Sequence, residues 1–111
     1  MEHLFKAIQK IAEENPEGFT VDLTTLKKVT GGISAAYLDT QNSFGDEGLK
    51  RVLKHSLEHG KTVGGWLDDD DGSFYFDSVR IFTDLEDAIR FGRENEQIAI
   101  FDLTNKRLIK L

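Results

Sequence analysis

The sequence predicts an α+β fold: a mainly antiparallel sheet built from hairpins, with about three amphipathic helices packed on it. Three observations carry this reading. Residues 63–77, VGGWLDDDDGSFYFD, set two aromatic-rich apolar runs on either side of a tight acidic turn ending in Gly72, the pattern of a β-hairpin. In three other stretches, apolar residues recur at the 3.6-residue spacing of an amphipathic helix. Hairpin connections dominate between the candidate strands, which favours antiparallel neighbours with the helices on one side.

Taken in order, Leu4, Phe5, Ile8, Ile11 and Ala12 make the first helical stripe, ended by Asn15-Pro16. Phe19, Val21 and Leu23 then alternate with polar residues, as in a half-buried strand. Gly31-Gly32 breaks the chain before ISAAYLD, a second strand candidate. The polar run at residues 39–43, DTQNS, reads either as the lining of a pocket or as an ordinary loop capping the next helix. Leu49, Val52, Leu53 and Leu57 form the second stripe, opened by Asp46 and closed by Gly60.

The hairpin follows, with arms at residues 61–67 and 73–76. Residues 79–82 either continue its second arm or form a short separate strand. Gly64-Gly65 beside Trp66 reads as a bulge or a close backbone approach. Leu85, Ala88, Ile89 and Gly92 form the third stripe. Thr83 and Glu86 make a capping box for it, and Asp84 and Asp87 complement its dipole. Phe91 lies off this stripe, so it either widens the buried face or touches a partner. Residues 98–103 and 107–111, joined by Thr104-Asn105, read as a last hairpin. No linker, repeat or low-complexity stretch divides the chain, so residues 1–111 read as a single domain.

Composition narrows the function classes. There is no cysteine, which excludes disulfides, Cys-ligated zinc and thiol nucleophiles. The first fifteen residues carry acids within their apolar pattern, unlike a signal peptide, and no run approaches the roughly 20 apolar residues of a spanning helix. A cytoplasmic protein with no membrane contact is the expectation. The net charge of −6 repels phosphate backbones, so direct nucleic-acid binding is not expected. It favours a basic partner, including proteins whose nucleic-acid grooves are lined with Lys and Arg.

Few constellations point to chemistry. Asp68, Asp69, Asp70, Asp71 and Gly72 look like a calcium loop, but placing Gly72 at loop position six puts Leu67 and Ser78 where the terminal carboxylate ligands belong. The run is better read as a solvated hairpin tip that is mobile or bound to something basic, since adjacent like charges repel. His55 and His59 stand one helical turn apart, a spacing that can chelate a single Zn²⁺. HSLEH also matches the H-x-x-E-H pattern of inverted zinc peptidases, though a third ligand is needed, with His3 or Asp46 as candidates if the fold brings them near. Two plain surface histidines are the competing reading. No serine stands in a nucleophile-elbow context, so a Ser-His-Asp triad is unsupported. No glycine pair matches a phosphate-binding fingerprint.

Three blocks carry a family resemblance: TQNSFGDEGL at residues 40–49, VGGWLDDDDGSFYFDSVRIF at 63–82, and DLEDAIRFGRENEQIAIFDL at 84–103. They resemble a small domain of phage and mobile-element proteins of Gram-positive bacteria and their relatives. That domain occurs alone or attached to phage head-associated and polyvalent proteins. The similarity covers about the C-terminal two-thirds of the chain and includes no catalytic signature. It implies a non-enzymatic accessory protein working in the cytoplasm of a bacterial host. Small acidic accessory proteins of that origin include anti-CRISPR proteins, several of which occupy the basic nucleic-acid groove of a type II effector nuclease. Such an inhibitor is the leading expectation, with Asp68, Asp69, Asp70, Asp71, Trp66 and Phe91 as partner-binding residues. The alternatives are a non-inhibitory structural or packaging accessory, and a zinc-dependent hydrolase using His55 and His59.

Overall fold

The computed structural model describes residues 1–111. The first helix, α1, spans Glu2–Glu14 and turns its stripe inward: Ile8 and Ala12 are buried, with Leu4, Phe5 and Ile11 packed against the same core. It stops at Asn15, whose Nδ2 donates to the carbonyl of Ile11 while its Oδ1 accepts from Lys28 Nζ at 2.6 Å. Pro16 then removes the next backbone donor. The second helix, α2, spans Gly45–Leu57. Asp46 does not cap it, as the sequence suggests. Phe44 holds the cap position in extended backbone without a side-chain bond, and Asp46 and Glu47 sit in the first turn, where they face the positive end of the dipole. The third helix, α3, spans Leu85–Glu94. Asp84, not Thr83, is its cap, with Oδ1 accepting the Glu86 N–H at 3.2 Å.

Seven strands form one sheet: β1 (Phe19–Asp22), β2 (Ile33–Ala36), β3 (Ser43–Phe44), β4 (Thr62–Leu67), β5 (Phe74–Phe82), β6 (Ala99–Asp102) and β7 (Arg107–Lys110). The order is β1-β4-β5-β2-β6-β7, with β3 beside β5, and every pairing is antiparallel. The expected α+β architecture with a mainly antiparallel sheet is therefore what the chain adopts. The central hairpin runs in register from Thr62↔Val79 to Leu67↔Phe74, and its second arm continues unbroken to Phe82. Gly64-Gly65 forms no bulge. The ring of Phe19 lies over Gly65, where a Cβ would stand 2.7 Å from two ring carbons.

Two details differ from the sequence reading. Residues 39–43 contribute a short 3-10 turn, Leu38–Thr40, and then β3, which fills the edge of β5 beyond the end of β2. Gly48 lets α2 start against that strand: a Cβ there would meet the Ser43 carbonyl carbon at 2.6 Å. The final hairpin turns over residues 103–106 rather than two, and is tied by Asp102, which accepts from the Asn105 N–H and its side-chain amide.

Strand alternation divides the sheet into two faces. Toward the helices point Phe19, Val21, Val63 and Phe76, which with Ile8, Leu49, Val52 and Leu53 form the main core under α1 and α2. A second cluster, Ala35, Phe82, Ala88 and Ile100, lies under α3. Burying each of the large side chains contributes about 1.5–3 kcal/mol. The opposite face, carrying Trp66, Tyr75, Asp77, Val79, Ala36 and Phe101, has no helix over it. No helix is long and apolar enough to cross a membrane.

Candidate functional site

The two histidines stand on the flank of α2 with their rings stacked, centroids 3.8 Å apart and planes within 3° of parallel. Tyr37 meets both edge-on. His59 Nδ1 lies 2.7 Å from the His55 carbonyl; a carbonyl only accepts, so that nitrogen carries the proton. His55 Nε2 is 3.2 Å from Asp39 Oδ2 and its Nδ1 is 2.8 Å from Ser78 Oγ. In the neutral ring the carboxylate accepts the Nε2–H and the Ser78 hydroxyl donates to Nδ1. The lone pairs of stacked rings lie in two parallel planes that do not meet at one ion, and three of the four ring nitrogens are already bonded. No group of three or more His, Asp or Glu side chains is placed to hold a metal. Asp46, one candidate third ligand, sits at the far end of α2 and accepts from Gln9 Nε2.

The fold does assemble a Ser78–His55–Asp39 chain, which sequence spacing concealed because its members come from β5, α2 and the 3-10 turn. Its polarity is wrong for catalysis. Ser78 is completely buried beneath α2, whereas the Asp39 side chain is 71% exposed. A nucleophile needs its oxygen at the surface where a carbonyl can approach. This chain instead fastens α2 to β5.

The acidic tip is ordered rather than splayed by repulsion. Asp68 and Ser73 pair across it, Asp68 Oδ1 accepts from the Asp70 N–H, and Asp71 Oδ1 accepts from the Ser73 N–H. Asp71 Oδ2 accepts from the Tyr75 hydroxyl at 2.6 Å. That bond, followed by the one from Ser73, holds the Asp71 carboxyl below the usual carboxylate range, and the Tyr75 phenol is pushed up in turn. Asp69 makes no such bond, and the Asp70 carboxylate is likewise uncommitted.

Tyr75 stacks on Trp66 at 5.7 Å and packs against Phe44 at 5.5 Å, giving a ladder of three aromatics across β4, β5 and β3. Trp66 is 40% exposed and Phe44 53%. The tip and Trp66 therefore form one patch. Phe91 belongs elsewhere: on the helical side it packs against Tyr37 and Phe82 under the Arg80 guanidinium. It widens the buried face, the first of its two expected roles, and is separated from Trp66 by the sheet.

Sequence reasoning passed over Asp77. Its side chain enters a concavity of about 430 Å³ on the uncovered sheet face. Burial alone pushes its carboxyl up to about 6; no hydrogen bond or neighbouring charge offsets it. The signal was present in FYFDSVRIF, where strict alternation puts this acid on the same face as Tyr75 and Val79. No family model, curated protein or solved structure matches the chain.

Proposed function

We propose that this chain acts by binding a basic protein through the acidic β4–β5 tip and the adjoining aromatic ladder, without catalysis. One observation carries the reading: the Tyr75–Asp71 hydrogen bond joins a hydrogen-bonded turn bearing four carboxylates to exposed aromatic rings. Aromatic residues supply contact area at low entropic cost, while carboxylates steer a cationic partner and set its register. The net charge of −6 favours proteins whose grooves receive nucleic-acid phosphates. Within that class, the phage and mobile-element resemblance singles out a type II CRISPR effector nuclease in a bacterial host cytoplasm. Carboxylates at the tip then occupy positions of DNA phosphates and interfere with nucleic-acid loading.

The test measures target-DNA loading and cleavage by type II effectors with and without the chain, across a salt series. Inhibition that weakens as salt rises is expected, because exposed charges are screened over about 8 Å at physiological ionic strength. Asp69→Lys with Asp70→Lys should abolish it while leaving the fold intact, since both carboxylates are free of the bonds that shape the tip. Full inhibition by that double variant would overturn the proposed surface. Absence of inhibition by the wild-type chain, with capture of a phage structural component instead, would replace the inhibitor reading with that of a packaging accessory.

A further inference from the structure

The uncovered face of the sheet holds a carboxylate that nothing in the chain neutralises. Asp77 projects from the middle of β5, and the residue directly opposite it on β4 is Gly64, which places no side chain across from it. Trp66, Val79, Ala36, Phe101 and Gln97 line the same concavity. At about 430 Å³ the concavity falls within the size of small-ligand pockets, about 300–1,000 Å³. A second concavity, lined by Tyr75, Asn42 and Asp68, shares Trp66, Asp77 and Gln97 with it and leads toward the acidic tip. Neither contains a lysine, arginine or histidine.

Asp77 is half-buried, and its carboxyl has neither a hydrogen-bond donor nor a counter-charge from the chain, although desolvating such a group is costly. Every fully enclosed side-chain polar atom is bonded, so the unbonded Asp77 oxygens still reach the open space of the cup. A complementary ligand brings donors to those oxygens, an apolar stem for the walls, and a group compatible with the Trp66 face. The geometry points to an arginine side chain carried on a polypeptide as the occupant, its guanidinium paired with Asp77 and its stem along Val79 and Phe101. Guanidinium suits the site better than ammonium. It gives two parallel donors to one carboxylate, stacks on aromatic rings, and is more weakly hydrated. The path past Asp68 selects a polypeptide source, since a basic segment engaged by the tip lies beside the mouth of the cup. This inference rests on the reading of a basic partner and names the side chain that partner inserts.

The experiment titrates ¹⁵N-labelled full-length chain with acetyl-Gly-Arg-Gly-amide, its citrulline counterpart and agmatine, followed by NMR. Citrulline keeps the shape of arginine without the charge. The arginine peptide should shift the Gly64, Gly65 and Asp77 amides and the Trp66 indole, with the citrulline peptide binding at least about tenfold more weakly, the worth of a charge-assisted bond. Asp77→Asn should abolish the difference between the two peptides. Gly64→Val, which fills the space across from Asp77 but leaves the carboxyl in place, should remove binding of both. Circular dichroism confirms that each variant is folded. Equal binding of the two peptides, or an arginine preference that survives in Asp77→Asn, would overturn the inference. Agmatine binding more tightly than the peptide would overturn the polypeptide source. Capture of the basic partner lost in the Asp69/Asp70 reversal but unchanged in Asp77→Asn would refute the cup and leave the tip reading standing. Peptide binding at the cup with no dependence of partner capture on the tip would do the opposite.

Discussion

Replacing Asp77 by Asn should stabilise the chain at neutral pH and leave it unchanged in acid. The carboxyl ionises at 3.8 when unperturbed and is pushed up to about 6 in the fold by burial. Below 3.8 it is protonated in both the folded and unfolded states. Between 3.8 and about 6 the folded chain keeps a proton that the unfolded chain has released, so stability falls as pH rises. Above about 6 both forms are ionised and the deficit is constant. At about 1.36 kcal/mol per tenfold change in ionisation, the deficit is about 3 kcal/mol. Asn removes the charge but brings an amide with its own hydrogen-bonding needs, so the net gain expected is about 1–3 kcal/mol. Urea unfolding of both proteins between about pH 3 and pH 8 measures it. Asp71 and Asp102 are shifted the opposite way and lose stabilisation in acid, but they do so equally in both proteins, so the difference curve isolates Asp77. An Asn variant no more stable than wild type at neutral pH, or a difference curve flat across the acid range, would refute the account of a desolvated, unpaired carboxylate.

Other perturbations test the remaining packing and polar contacts. Ser78→Ala leaves His55 Nδ1 without its donor in a part-buried position, and a loss of about 1–3 kcal/mol in urea unfolding is expected. No loss would show that the Ser78–His55–Asp39 chain does not fasten α2. Gly48→Ala sets a Cβ 2.6 Å from backbone of β3, which cannot yield as a side-chain tip can, so the melting temperature should fall with a cost of about 1–3 kcal/mol. An unchanged melting temperature would contradict the close approach of α2 to that strand. Added zinc should leave the His55 and His59 ring resonances in place, because sharing one ion requires unstacking the rings and breaking the bonds to Ser78 and Asp39. One zinc retained per chain, with a fall in melting temperature on chelation, would restore the expected metal pair.

What the sequence by itself determined is local. The helical stripes place α1, α2 and α3 because a 3.6-residue period needs only neighbours along the chain. The β4–β5 and β6–β7 hairpins were legible for the same reason: a turn joins strands that are already close. Alternation also assigned side chains to faces, which is why Phe76 belongs to the core and Trp66 does not. The tertiary structure alone decided which distant strands meet. Period two says which face a residue occupies but not which strand lies beside it. So β1 joins β4, β2 enters between β5 and β6, and β3 forms only because β5 is long enough to offer a free edge beyond β2. The polar features of interest depend on what the tertiary structure sets over each face of β5. Ser78 meets His55 because α2 crosses β5, whereas the glycine opposite Asp77 comes from the hairpin register itself and only the absence of a helix over that face leaves the carboxyl in an open concavity.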